Sequence, residues 1–218
     1  KPDRRQRQMC IRDRLKRGSN IFFFNEHGEW KSEIIFLDRN RVEVKFQKKI
    51  KQSKKLNNIQ LAICLVKKNP LETIFQKATE LGVNKIIPLI SERTEVKDIN
   101  YERAKKIVIE ATEQSNQLIP PAISKVTKLK NFLESLDQST KLLFADINSK
   151  NNLDIKDFKE VKSLCVLIGP EGDFTPKERE TILSKTNTIP FSLSNNILRA
   201  DTATISAISL INFVLSDH

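Results

Sequence analysis

Residues 164–178 read LCVLIGPEGDFTPKE, and this stretch decides the fold prediction. Residues 164–168 are an uninterrupted apolar run, as expected for a strand that is buried on both faces. A loop with two glycines follows, and residues 175–178 have the order of a helix capping box with proline at the first helical position. A buried strand, a short loop and a helix in direct succession predict a parallel sheet covered by helices.

The same alternation extends outward from that stretch. Further apolar runs predict strands at residues 59–66, 85–90, 142–145 and 189–193, and periodic apolar residues predict helices after residue 69, near residues 104–111 and 129–136, and at residues 203–215. Asn69 is the predicted N-cap of the first helix, with Pro70 at its first position, and Asp201 or Thr202 is the predicted cap of the last. We therefore predict an α/β domain over residues 57–218.

The residues before this domain follow the two-residue period of strands. Apolar or alternating runs at residues 21–24, 30–37 and 41–46 are separated by turns and predict a meander. We expect a small barrel over residues 15–56 that lacks its first strands, with the domain boundary within residues 53–58. Residues 4–14 read RRQRQMCIRDR, which is one translation of a common sequencing-library adapter. We interpret residues 1–14 as a non-native segment; a genuine basic arm that binds RNA is the alternative.

The formal net charge of +11 is concentrated at the start of the chain. Residues 1–14 carry +4, residues 15–57 carry +6 and residues 58–218 carry only +1. A basic module joined to a nearly neutral one favours nucleic acid as a partner, although a solvated lysine-rich surface has the same composition. The predicted RNA-binding residues are Lys16, Arg17, Lys48, Lys49 and Lys51.

Several classes of protein are excluded by composition and missing motifs. Three cysteines form no disulfide framework and two histidines no His-rich metal site, so no metal is predicted. Neither a membrane-spanning run nor a signal peptide is visible, and we expect a cytoplasmic protein. Phosphate-loop, dinucleotide-binding, nucleophile-elbow and HExxH patterns are absent. Cys64 and Cys165 lie in apolar runs, where thiols are ordinarily buried and inert.

Two clusters near the C-terminus are candidates for ligand binding. Gly169 and Gly172 follow a predicted strand, where ligands of open α/β sheets bind and where glycine allows close backbone approach; an ordinary turn is the alternative. In the second cluster, Arg199 stands at a predicted helix start, where the helix dipole disfavours a cation. A cation placed against its local preference is a functional candidate, and a surface ion pair with Asp201 is the alternative.

These motifs together resemble a known family. GPEG at residues 169–172 and ILRADTA at residues 197–203 resemble the SPOUT class of S-adenosylmethionine-dependent RNA methyltransferases, and more closely the bacterial 16S rRNA (uracil-N3) methyltransferases. Further matching stretches are KATELGV at residues 77–83, SERT at residues 91–94 and EATEQS at residues 110–115. The resemblance covers roughly residues 15–216.

The resemblance implies a fold and an activity. The fold is an α/β domain with a deep trefoil knot behind a PUA-like β-barrel, in a homodimer whose active site lies near the subunit interface. The activity is methylation of N3 of a uridine in the decoding region of 16S rRNA, within the assembled small ribosomal subunit, with S-adenosyl-L-methionine as cofactor. Carried over to this sequence, the cofactor-binding residues are Phe144, Ala145, Ile168, Gly169, Pro170, Gly172, Leu193, Ser194, Asn196, Ile197 and Leu198.

For the reaction, Arg199 is the candidate for holding uracil O2 or O4 as negative charge develops, and Glu171 or Asp201 for accepting the N3 proton. Asp173 and Ser194 stand where the family often has glycine, so strain is expected at Ser194 if its φ is positive. Two other functions stay open. One is a different SPOUT enzyme, acting on tRNA or on a 2′-hydroxyl; the other is a non-enzymatic rRNA-binding assembly factor, which the two cofactor motifs disfavour.

Overall fold

The computed structural model describes residues 15–25, 27–52, 58–151, 153, 161 and 163–216. The predicted non-native segment and most of the predicted domain boundary lie outside these residues. The chain divides into two compact units, Lys1–Lys55 and Leu56–His218. Within the described residues, no helix combines the length and the apolar character needed to cross a membrane.

The N-terminal unit contains an antiparallel sheet with the strand order β1-β2-β3. Its strands are β1 (Asn20–Asn25), β2 (Gly28–Leu37) and β3 (Val42–Gln52). The turn into β2 needs glycine at position 28, because its φ is 141° and a Cβ atom there would collide with the carbonyl of Lys51. The predicted meander is confirmed, and β3 extends into the lysine-rich stretch. The barrel stays a prediction.

The C-terminal unit is built on a parallel sheet with the strand order β10-β8-β9-β4-β5-β6, and β7 also pairs with β5. The strands are β4 (Ile59–Cys64), β5 (Lys85–Ile90), β6 (Ala122–Ile123), β7 (Thr127–Lys128), β8 (Thr140–Ala145), β9 (Ser163–Ile168) and β10 (Thr188–Phe191). The helices are α1 (Lys68–Glu80), α2 (Tyr101–Gln114), α3 (Leu129–Ser135), α4 (Pro176–Leu183) and α5 (Ala200–Ser216). The predicted α/β fold with a parallel sheet is confirmed.

Both faces of this sheet are covered by helices. Leu61 and Ile63 of β4 belong to a core that includes residues of α1, α2 and α5, whereas Ala62 and Cys64 belong to a second core with residues of α3 and α4. All six residues of β9 are buried. Each fully buried aliphatic side chain contributes roughly 1.5–3 kcal/mol to the free energy of folding. Because many such side chains hold the central strands in place, the carboxyl ends of these strands lie at a fixed edge of the sheet.

The first predicted helix start is wrong by two residues. α1 begins at Lys68 after Lys67 at the N-cap position, and no side chain caps it. Asn69 therefore lies inside the first turn. Pro70 is tolerated there because the first backbone N–H groups of a helix have no partner within the helix.

The last predicted helix also begins earlier than expected. α5 starts at Ala200, and the backbone N–H of Ala203 donates to the carbonyl of Arg199 at 2.8 Å. Arg199 therefore takes the N-cap position, and Asp201 and Thr202 lie in the first turn rather than capping it. At α4, by contrast, the predicted capping box is present.

Candidate active site

A cavity of about 420 Å³ lies at the carboxyl ends of β8, β9 and β10. Its walls come from three segments, residues 145–147, residues 168–173 and residues 192–203, each of which directly follows one of these strands. The three strands are neighbours in the sheet, with β8 between β10 and β9. Parallel pairing therefore brings together segments that are far apart in sequence, at the edge where α/β sheets bind ligands.

The segment after β9 is a tight turn. The backbone N–H of Asp173 donates to the carbonyl of Pro170 at 3.0 Å, and Asp173 has a φ of 58°. Its side chain accepts a hydrogen bond from the N–H of Phe174 at 2.8 Å. Gly169 leaves room for the ring of Phe174, since a Cβ atom there would lie 3.0 Å from Cε2 of that ring. The glycine and the aspartate thus set the path of this wall.

The strain expected at Ser194 lies instead at Asp173. Among the described residues other than glycine, only Asn116 and Asp173 have a positive φ. Aspartate adopts this conformation more readily than most side chains, because its short polar group can bond to nearby backbone. Ser194 instead uses its hydroxyl as an acceptor for the N–H of Asn196, at 3.0 Å.

An ion pair with a buried carboxylate lies at the side of the cavity next to β8. Asp146 has a side chain that is 2% exposed, and its Oδ2 accepts from Nε and Nη2 of Arg179 at 3.0 and 2.8 Å. Its Oδ1 accepts from the N–H of Asn148 at 3.0 Å. The carboxylate raises the pKa of Arg179 above its ordinary value, chiefly through this hydrogen bonding. The pair ties the end of β8 to α4 and fixes one wall.

Comparison with known proteins identifies the family. The family model described as an RNA methyltransferase domain matches residues 52–212. The ribosomal RNA small subunit methyltransferase E of Rickettsia conorii is 35% identical over 209 residues, which cover 94% of this chain and 84% of that protein. The chain belongs to this family of RNA methyltransferases. The resemblance found in the GPEG and ILRADTA motifs is thereby confirmed.

Solved structures agree with this membership. A ribosomal RNA small subunit methyltransferase E from Neisseria gonorrhoeae, bound to S-adenosyl methionine, has a TM-score of 0.85 and 26% identity, covering 98% of this chain and 90% of that one. A methyltransferase from Legionella pneumophila, in complex with the same cofactor, has a TM-score of 0.79 and 28% identity, with 93% and 86% covered.

Most residues predicted for this methyltransferase site line the cavity. The lining residues among the predicted cofactor contacts are Ala145, Ile168, Gly169, Pro170, Leu193, Ser194, Asn196, Ile197 and Leu198. Two predicted catalytic residues, Glu171 and Arg199, line it as well. The sequence motifs of the RNA methyltransferase family therefore meet on one surface of this chain.

Three predicted site residues do not line the cavity. Phe144 is 1% exposed and its ring packs edge-on against Phe174, because alternate strand residues face opposite sides of the sheet. Gly172 turns its carbonyl toward the guanidinium of Arg93, whose Nη1 donates to it at 2.9 Å. Asp201 lies in the first turn of α5, with its Oδ1 3.5 Å from Nε of Arg199.

Other lining residues were missed by the sequence analysis. They are Asp146, Ile147, Asp173, Ser192, Ala200 and Ala203. Asp146 and Ile147 directly continue β8, so extending the prediction past each strand end would have found them. Ala200 and Ala203 lie on the first turn of α5, which the predicted helix start placed too late.

Arg199 lies on the cavity wall with most of its side chain exposed to solvent. Its side chain is 73% exposed while it lines the cavity, and its Nε is 3.5 Å from the carboxylate of Asp201. Such an exposed pair contributes little to stability, so this ion pair does not by itself explain the arginine. Ile197, two residues before it, is 86% exposed and also lines the cavity. Both side chains are therefore exposed at the cavity wall.

The lysines predicted to bind RNA do not form one surface in the N-terminal unit. Strand pairing places Lys48 beside Lys31 and Lys51 beside Glu29, whereas Lys49 lies beside Trp30 with its Nζ 5.4 Å from the ring centroid. Adjacent strand residues face opposite sides, so Lys48 and Lys49 point away from each other. Lys16 and Arg17 are exposed in the turn before β1.

The two described thiols lie outside the site chemistry. Cys64 and Cys165 are completely buried, and burial raises the pKa of each to about 12. Their predicted burial is confirmed. Within the described part of the chain, no group of three or more His, Cys, Asp or Glu side chains is arranged to hold a metal ion.

Proposed function

We propose that this protein methylates N3 of one uridine in the decoding region of 16S rRNA, in the assembled small ribosomal subunit, with S-adenosyl-L-methionine as methyl donor. The observation that carries the proposal is the cavity on which the GPEG loop and the ILRADTA segment meet. The name of the Rickettsia relative and the cofactor bound to the Neisseria structure support it. A cytoplasmic location follows from this substrate.

The residues of the cavity fit the cofactor. Its volume of about 420 Å³ is in the range of sites for ligands of this size. Ile168, Leu193 and Leu198 offer apolar surface for the adenine ring, and the irregular backbone around them offers N–H and C=O groups to ring nitrogens and ribose hydroxyls. The carboxylates of Glu171 and Asp173 are acidic neighbours for a cationic sulfonium.

The chain's own residues have separate tasks in the proposed reaction. When bound, the cofactor supplies an electrophilic methyl group. Glu171 or Asp201 accepts the proton of N3, directly or through water, so that the N3 lone pair can form the new bond to carbon. Arg199 holds uracil O2 or O4, onto which the negative charge spreads. The turn after β9 and the segment after β10 hold donor and acceptor in line.

The proposal includes an architecture. Residues 57–218 form a knotted methyltransferase domain, residues 15–56 a PUA-like barrel that binds RNA, and residues 1–14 a non-native segment. The chain path supports the knot. After the edge strand β10, the N–H of Ser192 donates to the carbonyl of Asn151 at 2.8 Å, and further on Nδ2 of Asn212 in α5 donates to the carbonyl of Leu81 at 2.7 Å. We further propose a homodimer, which light scattering would test.

The deciding experiment is methylation of small ribosomal subunits isolated from cells that lack the corresponding methyltransferase. The purified protein and labelled cofactor should place one methyl group on N3 of a single uridine. Mass spectrometry of nuclease fragments would identify it, and reverse transcription should stop there because N3 methylation blocks base pairing. Methylation of tRNA or of a 2′-hydroxyl would replace the proposed substrate. RNA binding without methyl transfer would instead favour an assembly factor.

A further inference from the structure

A turn after β5 lies beside the Pro170–Asp173 turn of the cavity wall. It comprises residues 91–94, and Ser91 and Thr94 at its two ends are 4% and 3% exposed. Oγ1 of Thr94 accepts from the N–H of Ser91 at 3.0 Å, and the two hydroxyls lie 2.8 Å apart. The buried hydroxyls fix the turn, and the residues between them, Glu92 and Arg93, face outward.

Two hydrogen bonds join this turn to the segment that follows β9. Nη1 of Arg93 donates to the carbonyl of Gly172 at 2.9 Å. The N–H of Glu92 donates to Oε1 of Glu178 at 2.8 Å, while Oε2 of the same carboxylate accepts from the N–H of Thr175 at 3.0 Å. Glu178 therefore has two roles at once, because one oxygen caps α4 and the other binds a turn 86 residues away in sequence.

The hydrogen bond from Arg93 to the Gly172 carbonyl lies between two residues of the cavity wall. The residues on either side of it, Glu171 and Asp173, both line the cavity. Asp173 has a φ of 58°, which most residues avoid, and Gly172 is the residue of the turn with the fewest conformational limits. A charged donor on the Gly172 carbonyl fixes the peptide between Gly172 and Asp173, so it removes the freedom that glycine introduces.

We infer that Arg93 and Glu178 are positioning residues that hold the Pro170–Asp173 turn in the form that binds the methyl donor. Neither side chain lines the cavity, so both act through the turn and not on the ligand. The inference rests on the proposed function, because it takes the ligand of this cavity to be S-adenosyl-L-methionine. It assigns a role to the SERT stretch that the cavity itself does not reveal.

The first test is calorimetric titration of S-adenosyl-L-methionine, without RNA, into the Arg93→Ala variant. We expect the Kd to rise roughly tenfold, which is the loss expected for one hydrogen bond from a charged donor. Arg93→Lys keeps one charged donor and should recover part of the affinity. Arg103→Ala is the matched control, because Arg103 is a half-exposed arginine that pairs with a side chain outside the cavity, Glu72, 2.8 Å away in α1. Its Kd should equal that of the wild type.

Hydrogen–deuterium exchange on the ligand-free protein gives a second readout. In Arg93→Ala, the peptide covering residues 170–174 should exchange faster, since the Asp173 N–H to Pro170 carbonyl bond opens more often. Glu178→Gln retains only one acceptor oxygen for two donors and should raise both the exchange rate and the Kd. Thr175→Ala removes a hydroxyl that accepts from the N–H of Glu178 and donates to its Oε2, both at 3.3 Å, but it leaves both backbone donors on the carboxylate, so its effect should be smaller.

The outcomes separate this inference from the proposed function. An unchanged cofactor Kd and unchanged exchange in Arg93→Ala would refute the positioning role. If that variant instead raised only the KM for RNA, Arg93 would be a substrate contact, which also overturns the inference. Failure of the wild-type protein to bind the cofactor would refute the proposed function, and the exchange measurement would still decide whether Arg93 orders the turn.

Discussion

The two sheets of this molecule differ in how far their side chains are buried. In the C-terminal unit, helices cover both faces of the parallel sheet, and β9 is buried along its whole length. In the described N-terminal sheet, large apolar side chains stay accessible: Phe22 is 54% exposed and Phe46 is 58% exposed. The parallel sheet of the C-terminal unit is thus largely buried and meets the cavity only at its strand ends. The N-terminal sheet leaves large apolar side chains of its strands accessible to solvent.

That difference decides what each unit can contribute to function. A cavity formed by strand ends needs a rigid sheet beneath it, because several segments must meet within hydrogen-bonding distance. A surface of lysines needs only charge and exposure, and it tolerates variation in side-chain position. We therefore expect substitutions in the C-terminal unit to change catalysis or stability sharply, and those in the N-terminal sheet to change affinity gradually.

The largest effect is expected for Arg199→Ala. Removing a cation that stabilises charge in the transition state lowers kcat by roughly 10²–10³-fold. The Kd for the cofactor should stay within about twofold, because the proposed contact is with uracil and not with the methyl donor. Single-turnover methylation and calorimetric titration measure the two quantities. Loss of cofactor binding in this variant would refute the assigned role.

A substitution in the parallel sheet should lower the free energy of unfolding much more than one in the N-terminal sheet. Leu61 is completely buried in β4, so Leu61→Ala should lower the free energy of unfolding by about 2–5 kcal/mol. Phe46→Ala should cost less than about 1 kcal/mol, since that ring is mostly exposed and contacts chiefly Phe23. Urea unfolding followed by circular dichroism gives the first value. Fluorescence of Trp30, the chain's one tryptophan, reports on the N-terminal unit. Equal losses of unfolding free energy in the two variants would contradict the difference in burial between the two sheets.

A moderate effect is expected for charge reversal on β3. Lys48→Glu with Lys51→Glu should weaken RNA binding about tenfold or more and reduce the slope of log K against log salt by about 0.9 per lost phosphate contact. Lys49→Glu alone should have a smaller effect, because that ammonium lies over Trp30. Lys105→Glu, an exposed reversal on α2, is the control. An unchanged salt slope in the double variant would refute the proposed role of β3 in RNA binding.

The smallest effect concerns the buried thiols. In a Cys10→Ser background, Cys64 and Cys165 should not react with a thiol reagent at pH 8, because burial raises the pKa of each to about 12 and removes access. Both should react in denaturant. Since the folded state disfavours the thiolate, stability from these residues is complete at neutral pH and falls as the pH rises above the ordinary thiol value. Rapid labelling of the native protein would contradict their burial.

The elements of the C-terminal unit were predictable because their signals are local. Residues 59–64, 85–90 and 163–168 carry their strand character in predominantly apolar runs, in which the polar residues are Gln60, Lys85 and Ser163. Thr175 and Glu178 form a complete capping box. The starts of α1 and α5 were misplaced because neither depends on a capping side chain. Lys67 and Arg199 have no side-chain oxygen that could accept from the first N–H groups, so no capping residue marks either helix start in the sequence.

The site was only partly predictable for the same reason. Gly169 and Arg199 were found because they lie in motifs, whereas Asp146 was missed although it follows β8 directly. Phe144 was assigned to the site from a motif position, but strand alternation turns it into the core. A motif position by itself does not tell whether a residue at a strand end faces the cavity or the helices.

By itself, the sequence determined the α/β class, the parallel sheet, the family and the two motifs that meet at the site. The class and the sheet follow from apolar periodicity, which is local, and the family follows from the resemblance of the GPEG and ILRADTA motifs to known sequences. Only the tertiary structure decided which strands are neighbours, that Asp146 pairs with Arg179, and that Arg93 reaches Gly172. Such contacts join residues far apart in the chain, and their geometry depends on the packing of the whole sheet and its helices.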